Sequence, residues 1–136
     1  FYVGALGFTE TQRFGDSAVF LSADGYHHDL AINTWDSLGG AAPPRGTTGL
    51  YHHAILLPDR LSLARAVRRV VEAGVPLTGA ADHGVSEAVY LDDPDGNGVE
   101  LYRDRPEEEW PRDANGGLAM INAPLDVPAL IALAGP

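Results

Sequence analysis

The chain has no cysteine, which excludes disulfides, thiolate metal sites and thiol nucleophiles. It is short of positive charge: nine Lys and Arg against nineteen Asp and Glu leave a formal net charge of −10. A surface of that sign repels nucleic acid and anionic membranes, so neither is expected as a partner. No apolar run reaches the ~20 residues of a membrane-spanning helix, and no signal-peptide pattern is visible. A cytoplasmic protein is expected. There is also no initiator Met. Phe1 to Phe8 reads as a helix end stopped by Gly7, so an opening strand and most of a helix are expected to precede it.

What is present is enough for a core: 136 residues, 45% hydrophobic and 21% charged, fit one globular domain. The strongest internal signal is a degenerate repeat. Ala18-Val19-Phe20-Leu21 followed by Asp24-Gly25 returns as Ala88-Val89-Tyr90-Leu91 followed by Asp95-Gly96, with one inserted residue. Such self-similarity suggests a duplicated unit. The second copy runs on into Gly98-Val99-Glu100-Leu101-Tyr102, which sets a lone carboxylate inside an apolar strand.

The elements follow from periodicity and punctuation. Strands are expected over Val19–Leu21, about Tyr26–Asn33, Leu50–Leu57, Ala88–Leu91 and Gly98–Tyr102. The stretch from Gly39 to Thr48 reads as the loop joining two halves. Asp59 is placed to cap a helix over Leu61–Ala73, with Leu63, Ala64, Val67, Val70 and Val71 as its apolar stripe and Gly74 as its stop. Arg65, Arg68 and Arg69 read as its solvated face, and Trp35 and Trp110 as packing residues. The tail begins near Glu107, carries no cluster of ligand-type residues, and is expected to pack on the body through a short helix capped by Asp126.

Two of these residues stand out chemically. An ionised Glu100 in an apolar strand needs a cation, a metal or a raised pKa, since desolvating an unpaired carboxylate is expensive. His52-His53 occupies the central strand, where neighbours point to opposite faces. His52 is chosen as the inward one because Ala54, on its face, leaves room. Imidazole and carboxylate on corresponding strands suit a non-haem metal. The loop Asp92–Gly98 superficially resembles a Ca2+ loop but lacks the flanking helices, and reads as a turn.

The string Gly49-Leu50-Tyr51-His52-His53-Ala54-Ile55-Leu56, then His83-Gly84, then Tyr90 to Glu100 through Asp93-Pro94-Asp95-Gly96-Asn97, resembles the vicinal oxygen chelate superfamily. That superfamily holds glyoxalase I lyases, bleomycin resistance proteins and type I extradiol dioxygenases. The resemblance implies an α+β fold of two βαβββ modules, about residues 1–40 and 49–105, forming a half-open, eight-stranded cup whose first strand is missing from this sequence. Residues 1–110 would form the single domain and 111–136 the tail.

The pattern is most similar to the catechol 2,3-dioxygenase group. It implies an Fe(II) enzyme (alternatives Mn(II), Ni(II), Zn(II)) that cleaves the ring of a catechol-type diol with O2, giving a muconic semialdehyde-type product, and a homodimer. By the same resemblance His52 and Glu100 are metal ligands, Tyr90 hydrogen-bonds a substrate oxygen, His83 supports the site from behind and His28 is its acid/base. The spacing from His83 to Tyr90 is shorter than the group's. The remaining His ligand would lie on the missing first strand. Two alternatives stay open: a glyoxalase-like lyase or isomerase, in which Asp29 rather than His28 faces the site, and a metal-free small-molecule binder.

Overall fold

The computed structural model describes residues 1–135. The chain is α+β and falls into two compact units, Phe1–Gly49 and a second that begins at Leu50. No helix among the described residues is long and apolar enough to cross a membrane.

The first unit is a three-stranded antiparallel sheet of β1 (Thr9–Phe14), β2 (Ala18–Ser22) and β3 (Leu30–Asn33), in that order. The first copy of the repeat is its central strand. Phe1–Leu6 makes a turn, with the Ala5 N–H donating to the Phe1 carbonyl at 2.9 Å, and Gly7 ends it at φ 86°. Strand β1 was not expected from sequence. All six of its residues are exposed, so it has no apolar face to announce it, and its pairing with β2 holds it in place.

Strand β3 starts at Leu30, four residues later than expected. Local side-chain acceptors explain the delay. Asp24 Oδ1 takes the Tyr26 N–H at 3.0 Å and Asp29 Oδ2 takes the Ala23 N–H at 2.8 Å, which closes Ala23–Asp29 into a turn. Strand alternation therefore does not govern His28 and Asp29. Trp35, expected to pack, is 63% exposed.

The second unit runs β4 (His52–Leu56), α1 (Arg60–Glu72), β5 (Leu77–Asp82), β6 (Ser86–Asp92), β7 (Gly98–Asp104), a 3-10 turn (Glu107–Glu109), β8 (Ala123–Pro124) and α2 (Val127–Ala132). Its sheet has the order β4-β7-β6-β5-β8. Strands β4 and β7 pair in parallel, and the other pairs are antiparallel. The core β4-α1-β5-β6-β7 is the βαβββ pattern, to which the tail adds β8 along β5.

One face of this sheet is covered. Asp59 caps α1, its Oδ1 accepting the Ser62 N–H at 2.7 Å. Leu63, Ala64, Val67 and Val70 are buried as expected, and α1 packs on β7. Val71 is instead 45% exposed and Ala66 takes its place, because the buried face centres on Leu63, Val67 and Val70. Val89, Leu91, Val99 and Leu101 complete this core. Arg68 leaves the solvated face expected for it. Its Nη1 donates to the carbonyls of Ala134 (3.4 Å) and Gly135 (2.5 Å), just beyond α2, whose Leu130 is fully buried. Trp110 donates its Nε1–H to the Arg105 carbonyl at 2.8 Å.

The same face carries an ion network. Glu87 on β6 is 2% exposed and lies between Arg60 Nε (2.8 Å) and Arg103 Nη2 (2.7 Å), while Arg105 Nη2 holds Asp82 at 2.6 Å. Burial opposes the charge on Glu87, but the Arg60 and Arg103 guanidiniums outweigh it and hold the carboxyl below the usual carboxylate range. This network ties the start of α1 to the centre of the sheet. A carboxyl with a depressed native pKa contributes stability above its unfolded value, about 4.3, and loses it as pH falls through the native value. Glu87→Ala is expected to cost ~3–5 kcal/mol in urea unfolding at pH 7, because it strands Arg103. Glu87→Gln should flatten the fall of wild-type stability below about pH 4 in the same measurement.

Candidate active site

The face of the second sheet opposite α1 carries the polar residues singled out in the sequence. Register partners share a face. One cross-strand row holds Asp92 of β6, Gly98 of β7 and His52 of β4. The next holds Gly79 of β5, Tyr90, Glu100 and Ala54. His53 falls on the opposite face, so His52 is the member of its pair that meets Glu100.

These side chains form a continuous line. His52 Nε2 is 2.9 Å from Glu100 Oε2. The Tyr90 hydroxyl donates to Glu100 Oε1 at 3.2 Å, and His83 Nε2 is 3.0 Å from the Tyr90 oxygen. His83 Nδ1 faces the Ile121 carbonyl at 3.3 Å, and the Ile121 N–H returns to the His83 carbonyl at 3.0 Å. The carbonyl only accepts, so the proton count along the line is constrained. If His83 donates to Ile121 and is neutral, its Nε2 competes with Glu100 for the single Tyr90 proton. Both contacts are satisfied together only when the line carries one further proton, on His83 or on Glu100. Burial and then the Glu100 carboxylate push the Tyr90 phenol above its usual pKa, which keeps it a donor at neutral pH.

Gly98 makes the approach of β4 possible. A Cβ there would overlap the Tyr51 carbonyl oxygen and stand 3.0 Å from His52 Cβ. Glycine at the register of His52 thus lets β4 seat that imidazole beside Glu100.

Imidazole nitrogen and carboxylate oxygen fit a divalent transition metal. Two ligands about 2.1 Å from a metal on adjacent octahedral vertices lie about 3 Å apart, which the 2.9 Å separation matches. Two donors are in place. Among the described residues no group of three or more His, Cys, Asp or Glu could hold a metal. The other nitrogen of His52, Nδ1, is buried with no hydrogen-bond partner.

Beside the line lies a cavity of about 470 Å³, bounded by Tyr51, His52, Gly79, His83, Tyr90 and Gly98. Thr78, Asp92 and Asn122 also line it, and sequence reasoning missed all three. Asn122 belongs to the tail, where nothing in composition or spacing marks it. The Ile121–His83 pairing on one side and the Ala123–Asp82 pairing of β8 on the other bring it to the cavity wall.

His28 belongs to the first unit. Its ring packs edge-on against Phe20 (centroids 5.0 Å apart), and its Nδ1 lies 2.8 Å from that of His27. The adjacent Asp29 carboxylate is engaged by the Ala23 N–H.

A family model described as Glyoxalase/Bleomycin resistance protein/Dioxygenase superfamily matches residues 1–101. The chain is 44% identical over 135 residues to a protein of Bacillus subtilis (strain 168) named catechol-2,3-dioxygenase, covering 99% of this chain and 46% of that protein. It is 36% identical over 94 residues to biphenyl-2,3-diol 1,2-dioxygenase 3 of Rhodococcus globerulus, covering 65% and 48%. The chain thus spans about half the length of these curated relatives. Among solved structures, a glyoxalase/dioxygenase from Nostoc punctiforme superposes with a TM-score of 0.60 at 20% identity, over 77% of this chain and 80% of that one. A lactoylglutathione lyase from Agrobacterium tumefaciens gives 0.56 at 22% identity, over 76% and 80%. At those identities the likeness is one of fold.

Gly98→Ala is expected to separate His52 from Glu100 and weaken Fe(II) or Zn(II) binding at least tenfold in a calorimetric titration, while far-UV circular dichroism stays that of the wild type. Unchanged metal affinity would mean that β4 does not depend on the glycine.

Proposed function

The chain belongs to the glyoxalase/bleomycin resistance protein/dioxygenase superfamily, and from that premise we propose that it is an extradiol ring-cleaving dioxygenase acting on a catechol-type aromatic diol with O2. The observation that carries the reading is the unbroken line His83–Tyr90–Glu100–His52, with steps of 2.9–3.2 Å. A lyase or a binding protein has less use for a phenol held between an imidazole and a metal-type carboxylate. The name of the Bacillus relative supports the same reading.

In this proposal His52 and Glu100 hold the metal, Fe(II) by resemblance, with a third protein donor from outside this pair. The bound metal supplies a centre at which the diol oxygens and O2 meet. The remaining work falls to side chains. Tyr90, kept protonated, donates to a substrate oxygen and fixes the ring. His83 orients that phenol and exchanges a proton through it. His28 is the proposed acid/base that accepts a diol proton and returns it to the opening ring. The C–C bond beside the diol breaks and both atoms of O2 enter the product, so no external reductant is consumed. The enzyme would be cytoplasmic and homodimeric.

The glyoxalase-like alternative needs Asp29 as a ligand. Its Oδ2 accepts the Ala23 N–H at 2.8 Å, an engagement compatible with ligation through the other oxygen.

The test is anaerobic loading with Fe(II), followed by O2 consumption on catechol. Near-stoichiometric iron and one O2 taken up per ring opened are expected. His52→Ala and Glu100→Ala should each lose iron and activity. Tyr90→Phe should keep iron and lower kcat ~10²–10⁴-fold, the usual scale for proton transfer by a positioned side chain. Zn(II) or Ni(II) binding without O2 uptake would point to the lyase, and no metal at all to a binding protein.

A further inference from the structure

The two pairs of adjacent histidines are built differently. His52 and His53 lie in a strand and point to opposite faces. His27 and His28 lie in the turn before β3, where alternation does not apply, and their Nδ1 atoms are 2.8 Å apart. That turn is tied to the sheet on both sides of His28. Thr11 is the extra residue of a bulge in β1, between the pairs Glu10–Leu21 and Gln12–Phe20. Its hydroxyl donates to the His27 carbonyl at 2.7 Å, with the Phe20 carbonyl at 3.2 Å as its other neighbour. The Asp29 N–H donates to the Leu21 carbonyl at 2.8 Å.

The rings are held as well. His27 lies against Tyr26, centroids 3.9 Å apart, and His28 packs on Phe20, which in turn meets Phe14 at 5.2 Å. A 2.8 Å contact between two Nδ1 atoms needs one proton and one lone pair, because two protons would clash and two lone pairs repel. One imidazole is therefore protonated on Nδ1, and the other, when neutral, carries its proton on Nε2. An unconstrained neutral histidine in water favours the Nε2–H form. His27 is the exposed member of the pair and keeps that form, with Nε2–H in solvent and Nδ1 as acceptor. His28 is half-buried and is the donor.

We propose that His27 is a positioning residue: it accepts the Nδ1 proton of His28 and so leaves His28 Nε2 bare, as the atom that takes a proton from the diol. The inference rests on the proposed acid/base role of His28 and assigns the group that prepares it. Without that partner His28 would revert to Nε2–H and present a donor where the reaction needs a base. Once Nε2 has taken the diol proton, the Nδ1–H of the imidazolium still donates to His27. The contact therefore lasts through the proton cycle and strengthens while the charge is present. The proton then leaves Nε2 for the opening ring, and His28 returns to the tautomer from which it started. His27 itself exchanges no proton.

The test reads the tautomer itself. Nitrogen-15 NMR of the metal-free full chain at about pH 8.5, above the ordinary histidine pKa of about 6.5, is expected to show Nδ1–H at His28 and Nε2–H at His27. His27→Phe keeps a ring against Tyr26 and removes the acceptor, and should turn His28 to Nε2–H. His27→Asn, whose Oδ1 accepts in the place of Nδ1, should keep His28 as Nδ1–H. On the Fe(II)-loaded chain, His27→Phe should lower kcat on catechol about fivefold or more with iron content and KM unchanged, and His27→Asn should recover most of the loss. Nε2–H at His28 in the wild type, a tautomer that stays the same in His27→Phe, or an unchanged kcat in that variant would overturn the inference. Failure of the wild type to cleave any diol would overturn the functional reading alone, and the tautomer then decides whether His27 sets the state of His28.

Discussion

Strand β7 lies between β4 and β6 and must serve two environments that exclude each other. Its odd-numbered residues Val99, Leu101 and Arg103 enter the buried face under α1, and its even-numbered residues Gly98, Glu100 and Tyr102 take the other. A slip of one residue would drive Glu100 into the core and turn Leu101 out. The cost of an unpaired buried carboxylate forbids that register. The alternation that packs the core thereby aims Glu100 at His52 and Tyr90, and the site inherits its precision from the hydrophobic face behind it.

The same sheet holds two carboxylates in different settings. Glu87, buried under α1, is neutralised by guanidiniums from two elements, which hold its pKa down despite burial. Among the described residues Glu100 meets the His52 imidazole and the Tyr90 phenol. Fixed cations would saturate it and leave nothing to exchange. A histidine and a tyrosine leave its lone pairs available to a metal. The structural carboxylate and the chemical one are thus distinguished by the permanence of their partners.

This division explains what could be read in the sequence. The apolar strands, α1 with its Asp59 cap and the His52–Glu100 face follow from period and from the cost of a lone carboxylate, all local signals. Strand β1 stays hidden because its exposed residues carry no pattern. The late start of β3 turns on two aspartates competing for backbone N–H groups, a preference that apolar periodicity does not register. Asn122 reaches the cavity through the pairing of Ile121 with His83, 38 residues apart, and no local window contains that contact. The tail, read as packing alone, contributes to the cavity wall.

The repeat shows what it takes to arm a strand of this kind. In the first copy Phe20 pairs with Ala31, and in the second Tyr90 pairs with Glu100. The backbone is shared: each copy is the middle strand of an antiparallel trio and turns at a glycine of positive φ, Gly25 or Gly96. A phenol opposite Ala31 would find no acceptor at its register partner, and a carboxylate opposite Phe20 no donor. Each change alone adds a polar group without its register partner. With both present, a third group, His83, gains a function that it lacks beside a phenylalanine. The chemical difference between the copies therefore resides in a coupled pair rather than in either residue.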